Sequence, residues 1–174
     1  MSKIAYNLLK IKAVVFDVDG VLSPSTIPLG ADGTPCRMVN IKDGYAIQLA
    51  IKHNLKIAII TGADSEAITK RFNALGVGDV YTKVSHKLPL FKDWMAKNDI
   101  TPEETAYVGD DIPDYECMSL AGLAVAPADA ADDIKAIAGY ISPVDGGHGV
   151  ARDILEELLR ARGEWMTKAK AFGW

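Results

Sequence analysis

The sequence predicts an α/β fold, a doubly wound parallel sheet with a short flap after its first strand. Three observations carry that expectation. Short apolar, β-branched runs alternate with segments of helical period along the chain, the pattern of repeated β-α units. The runs are apolar at successive positions, as strands covered by helices on both faces must be. They also end abruptly in polar residues, and the carboxyl ends of strands are where open parallel sheets place their chemistry.

The elements follow in order. The first strand is expected over about Ala13 to Phe16. Asp43 stands as the cap of a helix over Tyr45 to His53, with Ile47 and Ile51 one turn apart. Lys56 to Ile60 reads as the second strand, ending at Thr61-Gly62. A helix from Ser65 carries Ile68, Phe72 and Leu75 on one face, and Gly76 stops it. A short strand near Val80-Tyr81 leads to the His86-Lys87 turn, and the next helix places Leu88, Phe91 and Met95 on one side. Thr101-Pro102-Glu103-Glu104 has the form of a capping box with proline at the first helical position. The strand Ala106 to Val108 then ends in Gly109-Asp110-Asp111, with a helix to Ala121. Leu123 to Ala126 and Tyr140-Ile141 are further strands, and a last helix spans about Val150 to Arg162. The segment from about 22 to 39 is rich in Pro, Gly, Ser and Thr, which reads as a hairpin or flap. Residues 164–174 form a tail whose tryptophans are expected to pack on a surface.

Bulk properties narrow the function. The 174 residues fit one domain, 1–174, and 49% hydrophobic with 24% charged residues is an ordinary globular composition. A net charge of −4 with both signs interspersed argues against nucleic acid as a partner. No run approaches the roughly 18 apolar residues of a membrane span, and the first residues carry no export signal. Two cysteines, Cys36 and Cys117, make no disulfide framework and are expected in a reducing, cytoplasmic setting.

The chemistry gathers at four strand ends: Asp17 and Asp19, Thr61-Gly62, Lys87, and Asp110-Asp111 with Asp114 just beyond. Two carboxylates separated by one residue repel unless a cation or a shared proton compensates them, so Asp17 and Asp19 point to a metal site with an acid able to act as a nucleophile. Each piece alone has an ordinary explanation: an Asp after a strand caps turns, a Thr-Gly pair is a loop, and a lone lysine is solvated. Parallel strands bring the four ends to one edge, however. Together they supply carboxylates for a divalent cation, a hydroxyl, backbone amides and a lysine, the set that phosphoryl transfer requires.

Asp17-Val18-Asp19-Gly20-Val21, Thr61-Gly62, Lys87 and Gly109-Asp110-Asp111-Ile112-Pro113-Asp114 resemble, in order and spacing, the four motifs of the haloacid dehalogenase-like phosphatases. Asn40-Ile41-Lys42-Asp43-Gly44, Ile59-Ile60-Thr61-Gly62, Arg71 and Gly146-Gly147-His148-Gly149 further resemble the 3-deoxy-D-manno-octulosonate 8-phosphate (KDO 8-phosphate) phosphatases, small capless tetramers of lipopolysaccharide synthesis. The resemblance covers about Lys12 to Gly163. It implies a phosphatase working through an aspartyl-phosphate on Asp17, with Asp19 as acid and base. It also implies Mg2+ on Asp17, the Asp19 carbonyl and Asp110, with Asp111 and Asp114 orienting waters or holding Lys87. Thr61, Gly62 and Lys87 fall on the phosphate.

The insert between Asp19 and Thr61 is too short for a cap domain, so the resemblance implies a homotetramer in which a neighbouring subunit closes the site. Lys42 and Arg71 are then candidates for the sugar-acid carboxylate, and Asn40, Ile41, Asp43 and Gly44 for the pocket lining. Without the resemblance, Arg71 reads as a solvated helix residue. Ala63 stands where many members carry an arginine, and His148 where arginine is frequent. KDN 9-phosphate, a nine-carbon acid, or a broader range of sugar phosphates is therefore the alternative substrate. His53 ends a helix, while His86 and His148 lie in loops beside the motifs. A phosphoacceptor signalling domain and a non-catalytic oligomerisation domain are rivals from other classes; Asp19 beside the presumed nucleophile argues against the first, and the complete motif set against the second.

Overall fold

The computed structural model of the chain describes residues 2–167 and 170–173. Among these, β1 (Ala13–Phe16), β2 (Lys56–Ile60), β3 (Asp79–Tyr81), β4 (Thr105–Val108), β5 (Leu123–Ala126) and β6 (Tyr140–Ile141) form one sheet. The helices are α1 (Ile41–Lys52), α2 (Glu66–Ala74), α3 (Lys87–Lys97), α4 (Tyr115–Leu120), α5 (Asp132–Ile137) and α6 (Val150–Ala161). The strand order is β3-β2-β1-β4-β5-β6 and every pairing is parallel, the Rossmann-like arrangement that the β-α alternation predicts. No inserted cap domain is present among the described residues.

Strand β1 lies in the middle, with Phe16 level with Ile59 of β2 on one side and Val108 of β4 on the other. Its side chains divide the core by their period of two. Val14 and Phe16 face a layer filled from α1, α2 and α6, including Ile47, Phe72, Ile154, Leu155 and Leu158. Ala13 and Val15 face a second layer filled by Phe91 and Trp94 of α3, Met118 of α4 and Ile134 of α5. The apolar faces expected for the helices from Ser65 and His86 are thus each spent on one side of the sheet, and Ser65 caps α2 by accepting the Ile68 amide.

Several local expectations change. Asn40, not Asp43, caps α1: its side-chain oxygen accepts the amides of Lys42 at 2.8 Å and Asp43 at 3.4 Å. Asp43 turns inward instead and accepts the Arg152 amide at 2.6 Å, tying the start of α1 to the start of α6. Local sequence does not distinguish the two residues, because both types cap helices. Asp110 is followed by a single 3-10 turn, Ile112–Asp114, before α4 begins. Helix α5 was not expected; at six residues it shows no usable period. The flap is less regular than a hairpin: it holds single bridges between Leu29 and Pro35 and between Ser23 and Asp19, with the Cys36 amide donating to Pro28 O. The Thr101–Glu104 box forms as expected, with the Thr101 amide donating to Glu104 Oε2 at 3.1 Å.

The tail folds onto its own chain. The Trp165 ring meets Tyr45 edge-on at 6.2 Å, and the Arg152 guanidinium lies 4.5 Å from the Trp165 ring centre. The Tyr45 hydroxyl donates to the Ala171 carbonyl. Trp174 lies outside the described residues. His53 caps the end of α1, 3.6 Å from Glu164.

Helix α6 joins the core through one face, where Leu155 is fully buried. Leu155→Ala is expected to lower stability by about 2–5 kcal/mol through lost burial and the cavity left behind, read from urea denaturation midpoints.

Candidate active site

The backbone ladder runs beyond the strands and aims the polar residues. The Asp17 amide donates to Val108 O at 3.0 Å, so Asp17 continues β1 alongside β4. The Thr61 amide donates to Tyr81 O at 3.0 Å and so continues β2 alongside β3. After Asp17 the chain closes a tight turn in which Val18 O accepts the amides of Val21, Leu22 and Ser23. The glycine loop after β6 seats on this turn, the Gly147 amide donating to Val21 O at 2.8 Å. His148 is exposed at the end of that loop.

At the carboxyl edge a cleft of about 440 Å³ opens, lined by Asp17, Asp19, Thr61, Gly62, Lys87, Asp110, Asp111 and Asp114 together with Ser25, Ala63, Val84, Ser85 and Pro113. All the motif residues expected at the reaction centre converge there. Lys87 opens α3 and is 5% exposed, yet its Nζ lies 2.9 Å from Asp17 Oδ1 and 2.7 Å from Asp114 Oδ1. Asp114 is held further: Tyr107 donates its hydroxyl to Oδ1 at 3.1 Å, and the Asp110 amide donates to Oδ2 at 3.3 Å. The Thr61 Oγ1 accepts the Ala63 amide at 3.1 Å, leaving its own proton to donate elsewhere.

The acids repel one another. Burial first, and then the charge of Asp114, pushes Asp17 up to about 7 in spite of Lys87. Burial, followed by Asp17 and Asp114, pushes Asp110 up to about 8. Burial works to lower Lys87, but the two carboxylates outweigh it and hold the ammonium above its ordinary value.

Asp17, Asp110 and Asp114 each offer an oxygen within 4.8 Å of the others. Asp114 is occupied by Lys87, Tyr107 and the Asp110 amide, which leaves Asp110 and the second oxygen of Asp17 to take a cation. Gly20 makes room for them: its φ is +83° and an added Cβ would stand 1.9 Å from Asp110 Oδ2. A hard, oxygen-only donor set beside excess negative charge fits a magnesium-like ion.

The residues expected to read the sugar lie elsewhere in the chain. Asn40, Asp43, Gly44 and Arg71 line a separate small cavity between α1 and α2. Arg71 packs under the start of α1, where a Cβ on Gly44 would lie 2.7 Å from its Nη2, so helix packing directs it away from the cleft of its own chain. Lys42 lines a groove with Lys3, His148 and Arg152, and Ile41 is exposed. His86 is exposed, its Nε2 3.5 Å from Glu116.

One residue escaped the sequence reading. Arg37, on the flap, places Nε 2.7 Å from Asp19 Oδ1 and Nη2 2.8 Å from Asp19 Oδ2. Nothing local marks it, since a lone arginine in a polar segment reads as solvated.

An acid, a threonine, a lysine and an acid pair in this order on the edge of a parallel sheet define the haloacid dehalogenase-like class of hydrolases. The family model described as haloacid dehalogenase-like hydrolase matches residues 74–154. The chain is 40% identical to the 3-deoxy-D-manno-octulosonate 8-phosphate phosphatase of Salmonella typhi over 154 residues, 88% of this chain and 82% of the relative. It superposes on the crystal structure of the Yersinia pestis phosphatase of the same name with a TM-score of 0.87 at 34% identity, covering 91% of this chain and 85% of that one. The Moraxella catarrhalis phosphatase, solved in complex with magnesium ion, phosphate ion and a KDO molecule, superposes with a TM-score of 0.85 at 30% identity, covering 89% of each chain. The chain belongs to this family of 3-deoxy-D-manno-octulosonate 8-phosphate phosphatases.

Gly20→Ala is expected to weaken magnesium binding by about tenfold or more while leaving the helical circular dichroism intact, because the new methyl displaces Asp110; isothermal titration reads it. The raised carboxylates fix a second outcome. In the metal-free protein the folded state retains protons between about pH 4 and 8 that the unfolded chain has released, so stability falls as pH rises through that window. Thermal melts at pH 5 and pH 8 are expected to show this fall. Added magnesium is expected to raise the melting temperature more at pH 8, where the carboxylates are ionised.

Proposed function

We propose that the cleft hydrolyses KDO 8-phosphate to KDO and inorganic phosphate, as a magnesium-dependent step of lipopolysaccharide biosynthesis. The observation that carries this reading is the buried Asp17, held 2.9 Å from Lys87 and facing a cleft that Thr61, Asp19 and Asp110 also line. The named activity of relatives with about 40% identity supports the substrate.

Asp17 attacks phosphorus in line and becomes an aspartyl-phosphate. Asp19 gives its proton to the departing sugar oxygen, then takes one from the water that hydrolyses the intermediate. Thr61 and the Gly62 region hold non-bridging oxygens. Lys87 keeps Asp17 ionised and aimed while offsetting charge on the transferring group. Asp17, Asp110 and the Asp19 carbonyl are the groups that would hold Mg2+, and the bound cation supplies charge neutralisation to the phosphoryl oxygens. Asp114 fixes Lys87, and Asp111, exposed at the rim, orients water.

The cleft is open to solvent, and its electrostatics strengthen when water is excluded. Leu29, Met38, Val39 and Ile41 are each exposed apolar side chains on the flap and the start of α1. Such side chains suit burial between subunits. A homotetramer formed there brings Lys42 and the Asn40–Gly44 segment of one subunit to the cleft of another. No helix among the described residues is long and apolar enough to cross a membrane. Cys36 and Cys117 are unpaired, which fits a reducing cytoplasm.

The test is phosphate release with magnesium from KDO 8-phosphate, KDN 9-phosphate and a hexose phosphate. A preference for KDO 8-phosphate in kcat/KM is expected; preference for the nine-carbon acid, or none, overturns the substrate. Asp17→Asn is expected to abolish turnover without loss of stability, since it removes one of several crowded negative charges.

A further inference from the structure

Asp19, the general acid of the proposed reaction, pairs with Arg37 through both of its oxygens. Arg37 grips both Asp19 oxygens in a planar fork, at 2.7 and 2.8 Å, with its own side chain 9% exposed against 35% for Asp19. Bidentate guanidinium–carboxylate pairs are among the strongest charge-assisted contacts. A leaving group at Asp19 therefore competes with Arg37 for the same two oxygens. The flap closes around the Leu29–Pro35 bridge, with the Gly30 amide donating to Thr34 O and the Cys36 amide to Pro28 O, and Arg37 follows in a stretch outside any helix or strand.

Charge in the cleft indicates what draws Arg37 away. Lys87, the one basic side chain lining the cleft among the described residues, is committed to Asp17 and Asp114. Ala63, buried at the wall, offers no cationic side chain. A second anionic group on a substrate can meet Arg37, beside the cleft through its contact with Asp19, once that pair opens. The guanidinium fork matches a planar carboxylate, and exchanging one carboxylate for another keeps the buried charge compensated throughout.

We propose that Arg37 is a specificity latch: it holds Asp19 back until substrate binds and releases it by transferring its bidentate grip to a carboxylate carried by the substrate. A phosphate ester lacking a carboxylate leaves Asp19 latched and turns over slowly. The inference rests on the reading of Asp19 as acid/base and of a sugar acid as substrate.

The experiment compares kcat and KM of the full-length wild type, Arg37→Lys and Arg37→Gln with magnesium, on KDO 8-phosphate and on glucose 6-phosphate, after melting curves establish that each variant is folded. For Arg37→Gln, kcat/KM on the sugar acid is expected to fall about 30-fold, the scale of one lost charge-assisted pair, while kcat on glucose 6-phosphate rises severalfold. Arg37→Lys, with charge but no fork, is expected to fall between. Equal losses on both substrates would make Arg37 a brace for the flap and overturn the latch, as would unchanged kinetics on the sugar acid. If the wild type itself shows no preference for the sugar acid, the substrate assignment fails separately. The latch then stands on whether Arg37→Gln speeds glucose 6-phosphate, and falls if it does not.

Discussion

The buried ammonium of Lys87 between Asp17 and Asp114 is the contact on which the rest of the site depends. A lysine at the first position of a helix faces the positive end of the helix dipole and loses its hydration when covered. Two carboxylates at 2.9 and 2.7 Å offset both penalties. Those carboxylates come from different parts of the chain, one after β1 and one at the head of α4, so the single lysine joins three segments. Removing it would leave two buried acids facing each other and Asp110 beyond them, without the one ammonium that touches both.

The sheet makes this convergence possible at little conformational cost. With β1 central, the residues that follow β1, β2 and β4 emerge side by side on one edge, and the ladder bonds continuing to Asp17 and Thr61 hold their backbones still. Preorganisation of this kind matters more than any one contact, because charge stabilisation works only when the donors need not move during reaction. Gly20 is part of the same economy of space: a side chain there would collide with Asp110, so the turn closes without one.

Much of this was legible along the chain. The β-branched strands, the Ser65 cap and the Thr101–Glu104 box are set by local stereochemistry and by periods of two and 3.6, and they lie where those rules put them. The acids, Thr61 and Lys87 were legible because a residue at the carboxyl end of a parallel strand has only one edge on which to appear. Asn40 and Asp43 were interchangeable as caps until α6 was in place to claim Asp43. The place of Arg71, beside Gly44 at the start of α1, was not legible, because it depends on how two segments pack and neither one encodes that alone. Arg37 left no mark at all, since its partner lies across the flap.

The sequence by itself therefore determined the α/β alternation and the polar strand ends, which follow from neighbours a few residues apart. Tertiary structure alone decided how Asp114 divides between Lys87 and Tyr107, how Asp43 ties α1 to α6, and that Arg37 closes on Asp19. The physical reason is range. Propensity and strand position act along the backbone, whereas burial and ion pairing depend on which distant groups the finished fold brings within a few ångströms of one another.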